Sequence, residues 1–184
     1  MGSTVQRLGG TDKEVTKKIQ AGWAAWRKIT GVLCDRNVPT KVKGRMYKTM
    51  VRPAMMYGME AKAVTGGQER KMEVAEMKML RFSLGKTRLD RVRNETVRET
   101  LKVGELGGKL REARLRWYGH VHRREEDYVG QRTSKMVIGK RGRGRPRRRW
   151  KDYIKEDMAA VNVVEGDALD RREWRRKIHA GDPT

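Results

Sequence analysis

One cysteine, Cys34, stands among 184 residues, which excludes an internal disulfide and fits a reducing compartment. A single phenylalanine set against eleven methionines leaves the core to flexible, unbranched side chains that pack adaptably. Acid is scarce as well: 23 Asp+Glu face 45 Lys+Arg, and no Asp-Asp dipeptide occurs. The acids alternate with bases in "ERKMEVAEM" and "KEDM", the pattern of solvated helix faces with i,i+4 pairs. Two-metal phosphoryl chemistry needs carboxylates that converge instead. The densest acid run, "REED" from Arg124 to Asp127, falls in an expected loop. Of three histidines, His120 and His122 are two apart, about 200° around a helix, and cannot share a metal. Cys34, expected as a buried or half-buried thiol, and His179 have no neighbouring ligand in sequence. The glycine pairs "TGGQ" and "LGGK" lack the spacing of a phosphate loop. No stretch approaches the roughly 20 apolar residues of a spanning helix. "MGSTVQRLGG" has neither the apolar core of a secretory signal nor the hydroxyl of an acylation motif. These absences lead to an expectation of an intracellular protein that binds without catalysis, without a cofactor or metal, and off the membrane.

What the chain does have is positive charge. Its net charge is +22, with 37% of residues charged and 36% hydrophobic, so a polyanion is the economical partner. RNA, DNA or an RNA–DNA hybrid is the first candidate. The charge peaks in "KRGRGRPRRRW", where Lys140, Arg141, Arg143, Arg145, Arg147, Arg148 and Arg149 fall within ten residues. Arg143 to Pro146 resembles the core of an AT-hook, in which an extended Arg-Gly-Arg lies in a narrow minor groove. An independent architectural DNA-binding protein is therefore the alternative reading, and a flexible basic linker doubling as a nuclear import signal is the bland one. A helix starting near Pro146 would put three arginines in its first turn, against the macrodipole, a cost that phosphate contacts would offset. A second basic-aromatic stretch, "RLRWYGHVHRR", sets Trp117 and Tyr118 among Arg114, Arg116, Arg123 and Arg124. Its rings are able to stack on unpaired bases. The five tryptophans fall on apolar helix faces, where core packing is the ordinary role.

Helical periods dominate. Val15, Ile19, Trp23 (or Gly22), Trp26, Ile29 and Leu33 form one stripe from about Asp12 to Leu33. Pro39 suits the start of a second helix carrying Val42, Met46, Tyr47 and Met50, which Pro53 is expected to break or kink. A third follows "TGGQ", with Met72, Ala75 (or Glu76), Met79 and Phe82 on one face and Gly85 as its C-terminal cap. Asn94 is the expected N-cap for the next. Leu106, Leu110, Ala113, Trp117 and Val121 mark another. "EEDYVGQRTSKMVIG" has no helical period, and "KMVI" reads as a short strand. Two amphipathic helices close the chain. The expected class is mostly α: a helical lobe and a small C-terminal helical lobe joined by a basic linker. The expected segments are 1–64, 65–130, a linker over 131–146, and 147–184, and the sequence leaves the oligomeric state open.

Several stretches, in order, carry a family resemblance: "GSTVQ", "DKEVTKKIQAGWAAWRKITGVLCDRNVPTKVKGRMYKTMVRPAMMYGME", "VAEMKMLRFSLGKTRLDRVRNE", "KLREARLRWYGHVHRR", "GRGRPRRRWKD" and "DRREWRRKIHAGDP". Together they resemble the C-terminal part of reverse transcriptases from LINE-type (non-LTR) retrotransposons, RTE-like clade. The resemblance implies that the stretch from Gly2 to Gln6 follows the primer-grip strand and that the helices after it form a polymerase thumb contacting the template–primer duplex. It also implies a basic tail for element RNA or target DNA, in a nuclear or cytoplasmic ribonucleoprotein. The family's palm, with its Tyr/Phe-x-Asp-Asp turn, precedes this point, so the resemblance carries no catalytic residue onto this chain. "MEAKAVTGG", Met59 to Gly67, departs from the family's pattern.

Overall fold

The computed structural model describes residues 11–136 and 148–183. The chain is mostly helical, and no strand occurs among the described residues. No described helix is long and apolar enough to cross a membrane. The chain divides into two compact units, one from residues 1–59, 64–110 and 180–184, the other from 60–63 and 111–179.

In the first unit, α1 (Asp12–Lys28) and the short α2 (Thr30–Leu33) carry the first stripe, burying Val15, Gly22, Trp26 and Leu33. Helix α3 (Thr40–Met46) starts directly after Pro39. At Pro53, where a break or kink is expected, the helical path continues without a break, but its regular α period is interrupted just before the proline. Tyr47–Val51 form one π-helical turn, and α4 (Arg52–Met56) continues from it with Pro53 in its first turn. The wider turn takes in the ring and the missing N–H. It keeps Tyr47, Val51 and Met55 fully buried on one face. Helix α5 (Gly66–Ser83) opens on a capping box in "TGGQ": Gln68 N–H donates to the Thr65 hydroxyl at 3.3 Å, and Thr65 N–H to Gln68 Oε1 at 3.0 Å. It ends as expected at Gly85, whose φ is +64°, with Lys86 N–H returning to the Arg81 carbonyl at 2.9 Å. Helix α6 (Asn94–Leu101) begins one residue earlier than the expected cap required. Asn94 is its first residue, and its Oδ1 accepts from Arg81 at 2.6 Å. Where α3 meets α6, a Cβ on Gly44 would lie 1.7 Å from the Leu101 carbonyl oxygen, so only glycine allows that approach.

Two expectations for α5 are corrected. Phe82 is 49% exposed, leaning edge-on against Trp23, while Leu80 and Ser83 take the interior. Glu76, grouped with the solvated acids but also offered as the alternative to Ala75 on the apolar face, is fully buried, 2.7 Å from Arg98 and accepting from the Tyr47 hydroxyl at 2.9 Å. Arg52, 3.8 Å from Glu76, donates to the Gly104 carbonyl at 2.8 Å and to Asp182 at 2.9 Å. Asp182 also accepts from Gly104 N–H at 2.8 Å and lies 3.4 Å from Lys109. Burial works to raise the Asp182 pKa, but Arg52, Gly104 N–H and Lys109 outweigh it and hold it at about 2. This polar string pins residues 180–182 to the first unit. Cys34 is exposed rather than buried.

The second unit takes α7 (Leu106–His122) from Arg111 onward, then α8 (Val129–Lys135), α9 (Trp150–Ala160), a 3₁₀ turn (Glu165–Leu169) and α10 (Arg171–Lys177). Helix α8 stands where the sequence shows no period, because two turns are too short to show one. Gln131 ties it down, donating to the His122 carbonyl at 3.1 Å. Val137 and Ile138 of the expected strand lie outside the described residues. Helix α9 starts at Trp150, not near Pro146, because Asp152 reaches back to accept from Arg149 N–H at 2.7 Å. Arg148 and Arg149 therefore precede the first turn, and the expected conflict with the macrodipole does not arise for them. The unit packs Leu115, Ile154, Met158, Val163, Ala168 and Ile178 around Trp174, which is 0% exposed and donates Nε1–H to the Leu115 carbonyl at 3.0 Å. Arg114 and Asp157 form a buried bidentate pair at 2.6 and 3.0 Å beside this core.

Candidate nucleic-acid interface

The second unit holds an open groove of about 760 Å³ with α7 along one wall and α10 along the other. Asp170 starts α10 by accepting from the N–H groups of Arg172 and Glu173 at 2.8 and 3.0 Å. That start turns Trp174 into the core and sets Arg171 and Arg175, one helical turn apart, on the groove wall. The opposite wall carries Arg116, Trp117, His120, Arg123 and Arg124. Gly119 lets the walls meet closely: a Cβ there would lie 2.5 Å from Trp174 Nε1. Glu60 is the one acid on the lining, and its carbonyl accepts from Trp150 Nε1–H at 2.9 Å.

Charge of one sign dominates this groove. Burial, then Arg124, Arg123 and Arg171, push the His120 pKa down from its ordinary value. Arg123 is lowered by burial and then by Arg171 and Arg175, and it is held in place by the Ala168 carbonyl at 2.6 Å. Clustered guanidinium groups raise each other's free energy, and an incoming anion relieves that repulsion. The aromatic groups form a short series. Trp117 stacks on His120 with centroids 5.4 Å apart and planes at 24°. His120 meets the Tyr128 ring edge-on at 6.2 Å, and Arg124 lies over that ring at 5.7 Å. Trp117 is only half-buried and joins neither hydrophobic core. Arg116 is 58% exposed on its side chain and pairs with Glu112 on the same helix.

The structure gathers Arg116, Trp117, Arg123 and Arg124 of the expected contact residues on this wall and turns two others away. Arg114 faces inward to Asp157. Tyr118 packs against the core beside Trp174 and Trp150, with centroids 6.2 and 6.4 Å away. Burial, then the Glu165 charge and a hydrogen bond to it, push the Tyr118 hydroxyl up to about 12. Arg148 lies 4.4 Å over the Tyr153 ring and pairs with Glu156. Arg149 sits at the α9 start. Lys140, Arg141, Arg143, Arg145 and Arg147 lie outside the described residues. Sequence reasoning missed His120, Arg171 and Arg175. The signal for the two arginines was their i,i+4 spacing around a tryptophan in "RREWRRK". Among the described residues, no three His, Cys, Asp or Glu side chains come together to hold a metal ion.

No family model matches this chain, and no solved structure matches it. Over 181 residues it is 24% identical to an uncharacterized transposon-derived protein of Caenorhabditis elegans. That alignment covers 88% of this chain but 62% of the relative, so the chain spans less than two thirds of that protein's length.

Proposed function

We propose that this chain is the nucleic-acid-binding thumb-and-tail part of a LINE-type retrotransposon reverse transcriptase, RTE-like, and that it does not polymerise by itself. The similarity to a transposon-derived protein supports a mobile-element origin. The order of the family-like stretches supports the reverse-transcriptase assignment, and the absence of any Asp-Asp dipeptide fits a chain without palm chemistry. The observation that carries the binding role is the groove between α7 and α10, where Arg116, Arg123, Arg124, Arg171 and Arg175 face one acid. The Lys140 to Arg149 run extends the same positive charge along the sequence. RNA, DNA or a hybrid is the partner. The alternative, an independent AT-hook-like protein, rests on Arg143 to Pro146, outside the described residues. Purified chain is expected to bind nucleic acid in a salt-sensitive way and to add no nucleotide to a primed template with Mg²⁺ or Mn²⁺. Primer extension would sink the proposal. A preference for A·T-rich duplex over both G·C-rich duplex and RNA would favour the alternative.

A further inference from the structure

The arginine groove of the second unit is concave, and its size decides what enters it. At about 760 Å³ it falls within the range of sites that enclose small ligands, roughly 300–1,000 Å³. A duplex presents the reverse shape, with grooves that receive a protruding helix or ribbon and phosphates spread over a convex surface. A recess of this size accepts a nucleotide or two taken out of a stack. Its lining has the corresponding chemistry. Arginine supplies every cation, and the planar guanidinium forks onto phosphate and also stacks on bases, which an ammonium does not do as well. Trp117 is a large ring on the wall with no place in either core. Its stacking on His120 fixes the indole in position before any ligand arrives. His120 in turn is braced by Tyr128. Glu60 would weaken a site for phosphate alone, yet a carboxylate is the acceptor that an exocyclic base amine seeks.

We infer that the α7–α10 groove is a receptor for an unpaired nucleotide in a nucleic-acid strand, with its base stacked against Trp117 and its flanking phosphates held by Arg123, Arg171 and Arg175. The inference rests on the nucleic-acid-binding reading above and narrows it to single-stranded or extruded bases at this site.

The test is fluorescence anisotropy of the full chain at fixed salt with three labelled oligonucleotides of one sequence. They are a single strand, a blunt duplex, and a duplex with one bulged nucleotide. The single strand and the bulge are expected to bind at least about tenfold tighter than the blunt duplex, the discrimination that one stacked base supplies. Trp117→Leu should weaken the single strand and the bulge by about tenfold, leave the blunt duplex unchanged, and be largely rescued by Trp117→Phe. Arg171→Gln with Arg175→Gln should weaken single-strand binding while Trp117 is intact, so a folding defect in the tryptophan variant would not leave the inference unexamined. Equal affinity for strand and duplex, or equal losses on both in these variants, overturns the receptor assignment and leaves the general binding role standing. Failure of the wild-type chain to bind any of the three overturns the functional reading itself.

Discussion

Gly119 and Arg114 show how single residues hold the helices of the second unit together. Gly119 faces the Trp174 indole, and Gly119→Ala forces a Cβ into a space 2.5 Å from Nε1. Overpacking of this kind costs about 1–3 kcal/mol, so the variant should unfold at lower urea concentration than the wild type. An unshifted midpoint would show that the helices part there freely. Arg114 and Asp157 are both buried, with side chains 5% and 9% exposed. Asp157→Ala leaves a buried guanidinium without its carboxylate, a loss of about 3–5 kcal/mol. Replacing both partners by apolar residues of similar volume should cost far less, because desolvation consumes most of the gain from a buried pair. A double-mutant cycle followed by urea unfolding checks both statements.

At the scale of elements, helix ends and the polar string in the first unit set the register. Thr65→Ala removes the side-chain acceptor for Gln68 N–H at the start of α5 and should cost about 1 kcal/mol. Thr65→Ser should restore it, with urea unfolding as the readout. The C-terminal residues are held by Asp182, whose folded pKa of about 2 lies below its ordinary 3.8. A depressed carboxylate contributes fully above its unfolded value and loses that contribution as pH falls through the folded one. Protection of the Gly104 amide, which donates to Asp182, should hold above about pH 4 and fade between there and about pH 2. Asp182→Asn should flatten that dependence, and a wild-type amide equally protected at both ends would exclude the anchor.

Helix-forming stretches in α1, α5 and α7 are legible in the sequence because each repeats its apolar positions over three turns or more. The faces are less legible where a polar residue is buried with partners distant in sequence. Glu76 looks like a solvated acid because Tyr47 lies 29 residues away in sequence. The π-turn before Pro53 and the capping role of "TGGQ" are local, yet the first leaves no periodic trace and the second lies ahead of the apolar repeat that marks the helix. Half of the groove is visible as a basic-aromatic helix. The α10 wall is not, because joining Arg171 and Arg175 to Trp117 requires knowing that Trp174 packs against α7 at Gly119.

For the whole molecule, a net charge of +22 makes association long-ranged and salt-dependent. If the Lys140 to Arg149 run neutralises about six phosphates of a duplex, log K should fall against log salt with a slope near −5. Replacing Arg143 and Arg145 with Ala should then reduce the slope by roughly two. The groove makes a separate claim, because its cations are fixed by structure rather than by sequence density. The most direct test of the account is the salt dependence of single-strand binding by the wild-type chain and by the Arg171→Gln, Arg175→Gln variant. The account predicts a slope shallower by roughly 1.4 in the variant, about 0.7 for each single-strand phosphate that is no longer neutralised, with unchanged unfolding. An identical slope in both proteins would contradict it and leave the groove a feature of the fold without a nucleic-acid role.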